Sequence, residues 1–144
     1  PPSTKLRRML VPVDFASGAG HLLQYAAAFA REFRAALLLL HVIQPVRVPT
    51  RLALETTRLH REARQRGQRR LEALAAQYLP AGLPARQVVR VGVPYGVINT
   101  LARRASVGLI ILGTRGRHGL RRWVLGSTAE RVVRHAPCPV LVVR

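Results

Sequence analysis

The chain has 144 residues, 49% of them apolar, which is enough for one domain with a hydrophobic core and excludes wholesale disorder. Twenty-four basic residues face six acidic ones, a formal net charge of +18, so polyanions must be weighed as partners. The longest apolar runs, such as Ala35 to Leu40, are far too short for a bilayer, and no membrane association is expected.

Arg8 to Val13 reads as a buried strand ending at Asp14, with Pro12 near its end because proline removes a ladder hydrogen bond. Asp14 then stands at the carboxyl end of a strand, where open α/β sheets take ligands. Its competing role is to cap the next helix. Ser17 can do that instead, which leaves Asp14 freer for a ligand. From Ser17 to Arg34, Leu22, Ala26, Phe29, Ala30 and Phe33 recur at helical spacing. Ala35 to Ile43 is almost continuously apolar, as expected of a strand covered on both faces. His41 inside it reads as a core or strand-end histidine, since no second ligand sits at zinc-like spacing.

Gln44 to Thr50, with Pro45 and Pro49, reads as a loop. A long helix is expected from Arg51 to Tyr78, with an inner stripe of Leu52, Thr56, Leu59, Ala63, Gly67, Leu71, Leu74 and Tyr78. The arginines outside that stripe read as a solvated face, with Glu62 spaced to pair with Arg58 and Arg66, and a polyanion-binding face is the alternative. Gln87 to Val91 is a short strand, Tyr95 to Ala105 a helix, and Val107 to Leu112 a strand. Thr128 to His135 is a helix with Ala129, Val132 and Val133 inward. Pro137 and Pro139 end it, and Val140 to Val143 is a last strand. Strands alternating with helices define one α/β domain over residues 1–144, an open five-stranded parallel sheet with helices on both faces.

Between the fourth strand and the fourth helix lies Gly113 to Ser127, GTRGRHGLRRWVLGS. Glycines let backbone N–H groups approach an anion, and the following helix offers unpaired N–H groups at its first turn. Arg115 and Arg117 can neutralise phosphates, while His118 reads as a solvated loop side chain, with a phosphate contact or a part in slow hydrolysis as the alternative. The loop is neither a Walker A motif nor a GxGxxG fingerprint.

VPVDF (Val11 to Phe15), LLHV (Leu39 to Val42), the Gly113-x2-Gly116-x9-Gly126-Ser127 spacing and APCPVLVV (Ala136 to Val143) together resemble the universal stress protein family over nearly the whole chain. That resemblance implies a Rossmann-like fold and, for members with this loop, ATP as ligand, with Mg2+ able to accompany it. ADP, AMP and cyclic nucleotides stay open. Asp14, beside Pro12 and Val13, and the Val42 backbone would hold the adenosine end. The backbones of Gly113, Gly116 and Gly126, with Ser127 and its hydroxyl, would hold ribose and phosphates, flanked by Thr114, Arg115, Arg117 and Thr128. Relatives pair through the last strand, so a homodimer through residues 140–143 is expected. Ala16 replaces the serine often found two residues after the aspartate. Gly108 replaces a common aspartate, and the strong positive charge is unusual for the family.

Catalytic machinery is not apparent, since no nucleophile elbow, metal cluster or paired carboxylates occur. Ser17-Gly18-Ala19-Gly20 is a poor copy of the SGGxDS loop of ATP pyrophosphatases. The leading reading is an ATP-binding stress-response or signalling switch. A polyanion- or nucleic-acid-binding module with a vestigial nucleotide site is the alternative, and a scaffold without ligand is a third. The lone Cys138 excludes an internal disulfide, and Pro1 to Lys5 has no signal-peptide core, so a cytoplasmic location is expected.

Overall fold

The structure is a computed structural model that describes residues 6–114 and 125–144. Its elements run β1 (Arg8–Pro12), α1 (Ala19–Phe33), β2 (Ala36–Ile43), a 3-10 turn (Thr50–Leu52), α2 (Ala53–Tyr78), β3 (Ala85–Val91), α3 (Pro94–Arg104), β4 (Leu109–Gly113), α4 (Ser127–His135) and β5 (Val140–Val143). The strands form one parallel sheet in the order β3-β2-β1-β4-β5. The expected five-stranded α/β architecture is therefore present.

The apolar strand runs divide between the two faces because side chains alternate along a strand. Met9, Val11, Leu37, Leu39 and Ile111 point one way and pack with Leu23 and Ala26 of α1 and Leu71 of α2. Leu10, Leu38, Leu40 and Ile110 point the other way, against Ile98 and Ala102 of α3 and Val132 of α4. A sheet covered on both faces has no solvated side, and so β2 reads ALLLLHVI without polar alternation. Each fully buried Leu or Ile contributes about 1.5–3 kcal/mol. No described helix is long and apolar enough to cross a membrane.

Three apolar positions expected inside lie outside. Leu59 and Phe33 are each 49% exposed, and Val133 is 45% exposed. Length explains Leu59. The 26 residues of α2 span about 39 Å, whereas the eight of β2 span about 26 Å, so the helix must overhang the sheet. Burial on α2 is confined to Gly67, Leu71 and Ala75, all in its second half. At Gly67 the helix backbone comes so close to the sheet that a Cβ would lie 3.3 Å from the His41 ring and 3.5 Å from Val89. Phe33 is the last residue of α1 and stacks on Phe29 instead of reaching the core.

The chain enters β3 at Ala85 and β4 at Leu109 rather than at Gln87 and Val107. It enters α3 at Pro94, one residue early, because proline suits a first helical position. Gly113 closes β4 as a ladder residue opposite Val143.

Candidate functional site

Chain order fixes where the sheet can hold a ligand. From β1 the connections run outward to β2 and β3 on one side, while β4 and β5 fill the other. The switch point therefore lies between β1 and β4, at the carboxyl ends of the strands, where ligands of open α/β sheets bind. Ladder pairing is thinnest there. β1 and β4 share two registered pairs, Met9 with Leu109 and Leu10 with Ile110, against five between β1 and β2. Val13 instead turns its N–H to the Leu40 carbonyl at 2.8 Å, and Thr114 donates to the Val143 carbonyl at 3.0 Å. The carboxyl ends of β1 and β4 thus bond to their outer neighbours rather than to each other, as expected where an open α/β sheet takes a ligand.

Pro12 and Val13 lead to Asp14, whose side chain is exposed at that end of the sheet. The expectation that Ser17 caps α1 is not met. Gly18 holds the N-cap position without a side-chain hydrogen bond, and the Ala16 N–H donates to Asp14 Oδ1 at 2.9 Å. The cause lies between them. Phe15 has φ 61°, a left-handed conformation costing a non-glycine residue about 1–2 kcal/mol, and it reverses the chain so that Asp14 closes its own turn. One carboxylate oxygen is thus committed to the backbone. Asp14 is held in place by that bond rather than left free.

Packing around Phe15 compensates for that cost. Its ring lies 4.2 Å from the His41 ring, and the Arg70 guanidinium of α2 lies 4.2 Å from its centroid. His41, 6% exposed, places Nδ1 2.7 Å from the Val13 carbonyl. A carbonyl only accepts, so Nδ1 carries the hydrogen in this bond. The residue before Asp14 is therefore tied to β2, and the residue after it is clamped by β2 and α2. The reading of His41 as a strand-end core histidine holds, but this bond across 28 residues and the Phe15 clamp left no sequence signal. Val42, next to His41, is part-buried.

At the end of β4, Gly113 and Thr114 are part-buried, and a Cβ on Gly113 would meet Leu22 at an ordinary 3.6 Å. The helix α4 begins at Ser127, one residue earlier than expected, with Gly126 as its N-cap and Glu130 N–H bonding back to the Gly126 carbonyl at 2.9 Å. The N–H groups of Ser127, Thr128 and Ala129 have no intrahelical acceptor and point out of the positive end of the helix dipole. Gly126 does not need the left-handed region. Its φ is −59° and its ψ 154°, and an added Cβ would meet nothing within 4 Å. Arg115, Gly116, Arg117 and His118 lie outside the described residues.

No group of three or more metal-ligating side chains occurs among the described residues, so a divalent cation would depend on ligand phosphates for most of its coordination. Desolvation pushes the half-buried Cys138 thiol above its ordinary range, against a smaller opposing effect of a backbone hydrogen bond at Ile110, and the net shift favours the protonated thiol.

An open doubly wound sheet in the order β3-β2-β1-β4-β5, with its switch point between β1 and β4, defines an α/β protein of the Rossmann-like class. The model of the universal stress protein family matches residues 5–144, and the chain belongs to that family. It is similar to the universal stress protein MJ0531 of Methanocaldococcus jannaschii, 30% identical over 142 residues covering 96% of this chain and 82% of the other. It is likewise similar to YxiE of Bacillus subtilis, 30% identical over 145 residues covering 95% and 98%. Among solved structures it resembles the universal stress protein UspA from Lactobacillus plantarum, with TM-score 0.79, 27% identity and coverage of 96% and 98%.

Proposed function

We propose that this chain binds an adenine nucleotide, ATP in the first instance, at the β1–β4 crevice and acts as a ligand-dependent stress-response or signalling switch rather than a dedicated enzyme. The observation that carries this reading is the carboxylate of Asp14, held by the Ala16 N–H at the carboxyl end of β1, with the N-terminus of α4 following the adjacent strand β4. Asp14, bonded to the Ala16 N–H and flanked by the Val42 backbone, would meet the adenosine end. The open N–H groups at Ser127 and Thr128, with the Ser127 hydroxyl, would meet phosphates. Gly113 and Gly126 present no side chain to a ligand, and Thr114, Arg115, Gly116 and Arg117 belong to the same sequence motif. Mg2+ would enter with ATP, held chiefly by phosphate oxygens and water.

Two solved universal stress proteins, 22% and 20% identical to this chain, are in complex with cAMP and with dAMP. Those ligands favour an adenine nucleotide here while leaving the phosphate number open. A homodimer through the edge strand β5 and a cytoplasmic setting complete the proposal. Mass spectrometry of the small molecule released from purified protein on denaturation tests it. An adenine nucleotide in near-stoichiometric amount supports the reading. If none is released, and neither ATP nor AMP binds when added at millimolar concentration, the proposal fails.

A further inference from the structure

In a parallel sheet every strand starts, and every crossover helix ends, at the same end of the molecule. Here that end, opposite the crevice, is lined with arginine. Arg7 and Arg8 stand at the start of β1 and Arg86 at the start of β3. Arg31 and Arg34 stand at the end of α1, and Arg103 and Arg104 at the end of α3. All seven are exposed, and among the described residues Glu32 is the one carboxylate placed with them.

Two ordinary causes of arginine on a surface account for this only in part. Basic residues in a last helical turn complement the carbonyl end of the dipole, which covers Arg31, Arg103 and Arg104. It does not cover Arg7, Arg8 or Arg86, which begin strands. Arg8 alone of these bonds a helix end, through Nη1 to the Ala105 carbonyl. Charge compensation is the second cause, and it acts on other arginines. On α2 the arginines alternate with Glu55, Glu62 and Glu72, and Arg58 pairs with Glu62 at 3.1 Å. Arg134 likewise pairs with Glu130 at 2.8 Å. Arg134 lies in the last turn of α4, at the strand-start end itself, but the seven arginines named above have no such pairing among the described residues, so their potential adds instead of cancelling.

We propose that this end of the sheet is a docking surface for the phosphate backbone of a nucleic-acid duplex. Strands lie about 4.8 Å apart and rise about 3.3 Å per residue, which puts the Cα atoms of Arg8 and Arg86, two strands apart and two residues out of level, about 12 Å from each other. Guanidinium groups spread at that scale can meet successive phosphates along a backbone. Arginine supplies the planar fork that matches a phosphate. Among the described residues Phe33 and, in the last turn of α4, Val133 are the large apolar side chains exposed at this end, and Phe33 is stacked on Phe29, so there is no extended apolar set to insert into a lipid layer. The described surface offers no run of aromatic rings on which single-stranded bases would stack, which favours a duplex held by its backbone and without sequence preference. The surface lies at the far end of the strands from the proposed nucleotide crevice, so both ligands can be held at once. The inference does not depend on the nucleotide reading.

The test is a fluorescence-anisotropy titration of a short random-sequence DNA duplex across a salt series, without nucleotide, on two variants of equal charge. One carries Arg7→Gln, Arg34→Gln, Arg86→Gln and Arg103→Gln. The other carries Arg61→Gln, Arg64→Gln, Arg66→Gln and Arg69→Gln on α2. The first should lose at least about ten-fold in affinity at low salt and about one unit of log–log salt slope per arginine, while the α2 variant keeps the parent slope. Lysine at the same four strand-start-end positions should restore the slope, which separates lost charge from lost fold. Equal losses in the two variants would show that net charge alone is at work and overturn the proposal. So would a parent that binds no duplex at low salt, or one that binds anionic phosphatidylglycerol vesicles and no duplex.

Discussion

Replacing His41 by leucine tests how the crevice is held. The substitution removes the Nδ1 donor at 2.7 Å from the Val13 carbonyl, on a residue 3% exposed, and it removes the ring against Phe15. A buried carbonyl left without its donor costs about 1–3 kcal/mol, and leucine fills the volume, so the loss should stay in that range. For a chain of this size that is a fall of about 3–9 °C in Tm. The more informative effect is on the ligand. If the His41 bond and the Phe15 clamp hold Asp14 in place, freeing them should remove most of what Asp14 contributes. A hydrogen bond to a charged group is worth about 1.5–3 kcal/mol, or one to two decades of affinity. His41→Asn, which keeps a donor near the Nδ1 position, should recover part of it. Calorimetric titration with AMP on His41→Leu, Asp14→Ala and the double variant gives the coupling. The double variant should bind about as weakly as Asp14→Ala alone, since two changes acting through one contact do not add. A His41→Leu protein that is destabilised yet binds AMP as the parent does, or fully additive losses, would refute the reasoning.

Ser127→Ala should weaken ATP by about one to two decades and AMP less, because its hydroxyl stands at the helix end proposed for the distal phosphates; paired calorimetric titrations check this. Asn99 is 6% exposed, and its side-chain oxygen and nitrogen have no protein partner among the described residues. Asn99→Leu should therefore raise stability in urea by about 1–3 kcal/mol, and a fall instead would mean that a water or another partner satisfies the amide. Val140–Val143 is an edge strand with part-buried side chains, and its free ladder side invites a second copy. Sedimentation at micromolar concentration should show a dimer, and Leu141→Arg should shift it to monomer. The protonated Cys138 thiol should react with iodoacetamide at pH 8 more slowly than a free thiol of ordinary pKa, an expectation checked by intact mass.

The sheet was legible because strands covered on both faces must be apolar nearly throughout, and residues 36–43, apart from His41, and 109–112 satisfy that. The place of Asp14 just beyond β1 was legible from the apolar run before it. What escaped the sequence was long-range or conformational. Spacing put Leu59 in the inner stripe of α2, but periodicity reports which face a residue shares, not whether the sheet extends that far. Ser17 looked like a cap because it precedes an apolar-periodic helix. The left-handed Phe15 moved the turn upstream, and nothing in the residue type of a phenylalanine announces a positive φ. The Arg70–Phe15–His41 stack joins α2, the loop after β1, and β2, which no local pattern could bring together.

Gly126 offers the most direct test of the nucleotide site. With φ −59°, ψ 154° and open space around a Cβ, its backbone accepts valine, and the stability cost should be confined to about 1 kcal/mol for a poor N-cap residue. A valine side chain would nevertheless stand in front of the N–H groups at the start of α4. Calorimetric titration of ATP against the parent and Gly126→Val, with folding of both verified by thermal unfolding, should give saturable binding to the parent and at least about ten-fold weaker binding to the variant, a difference of 1.4 kcal/mol or more. Equal ATP affinity in a folded Gly126→Val protein would contradict the account and place any nucleotide elsewhere.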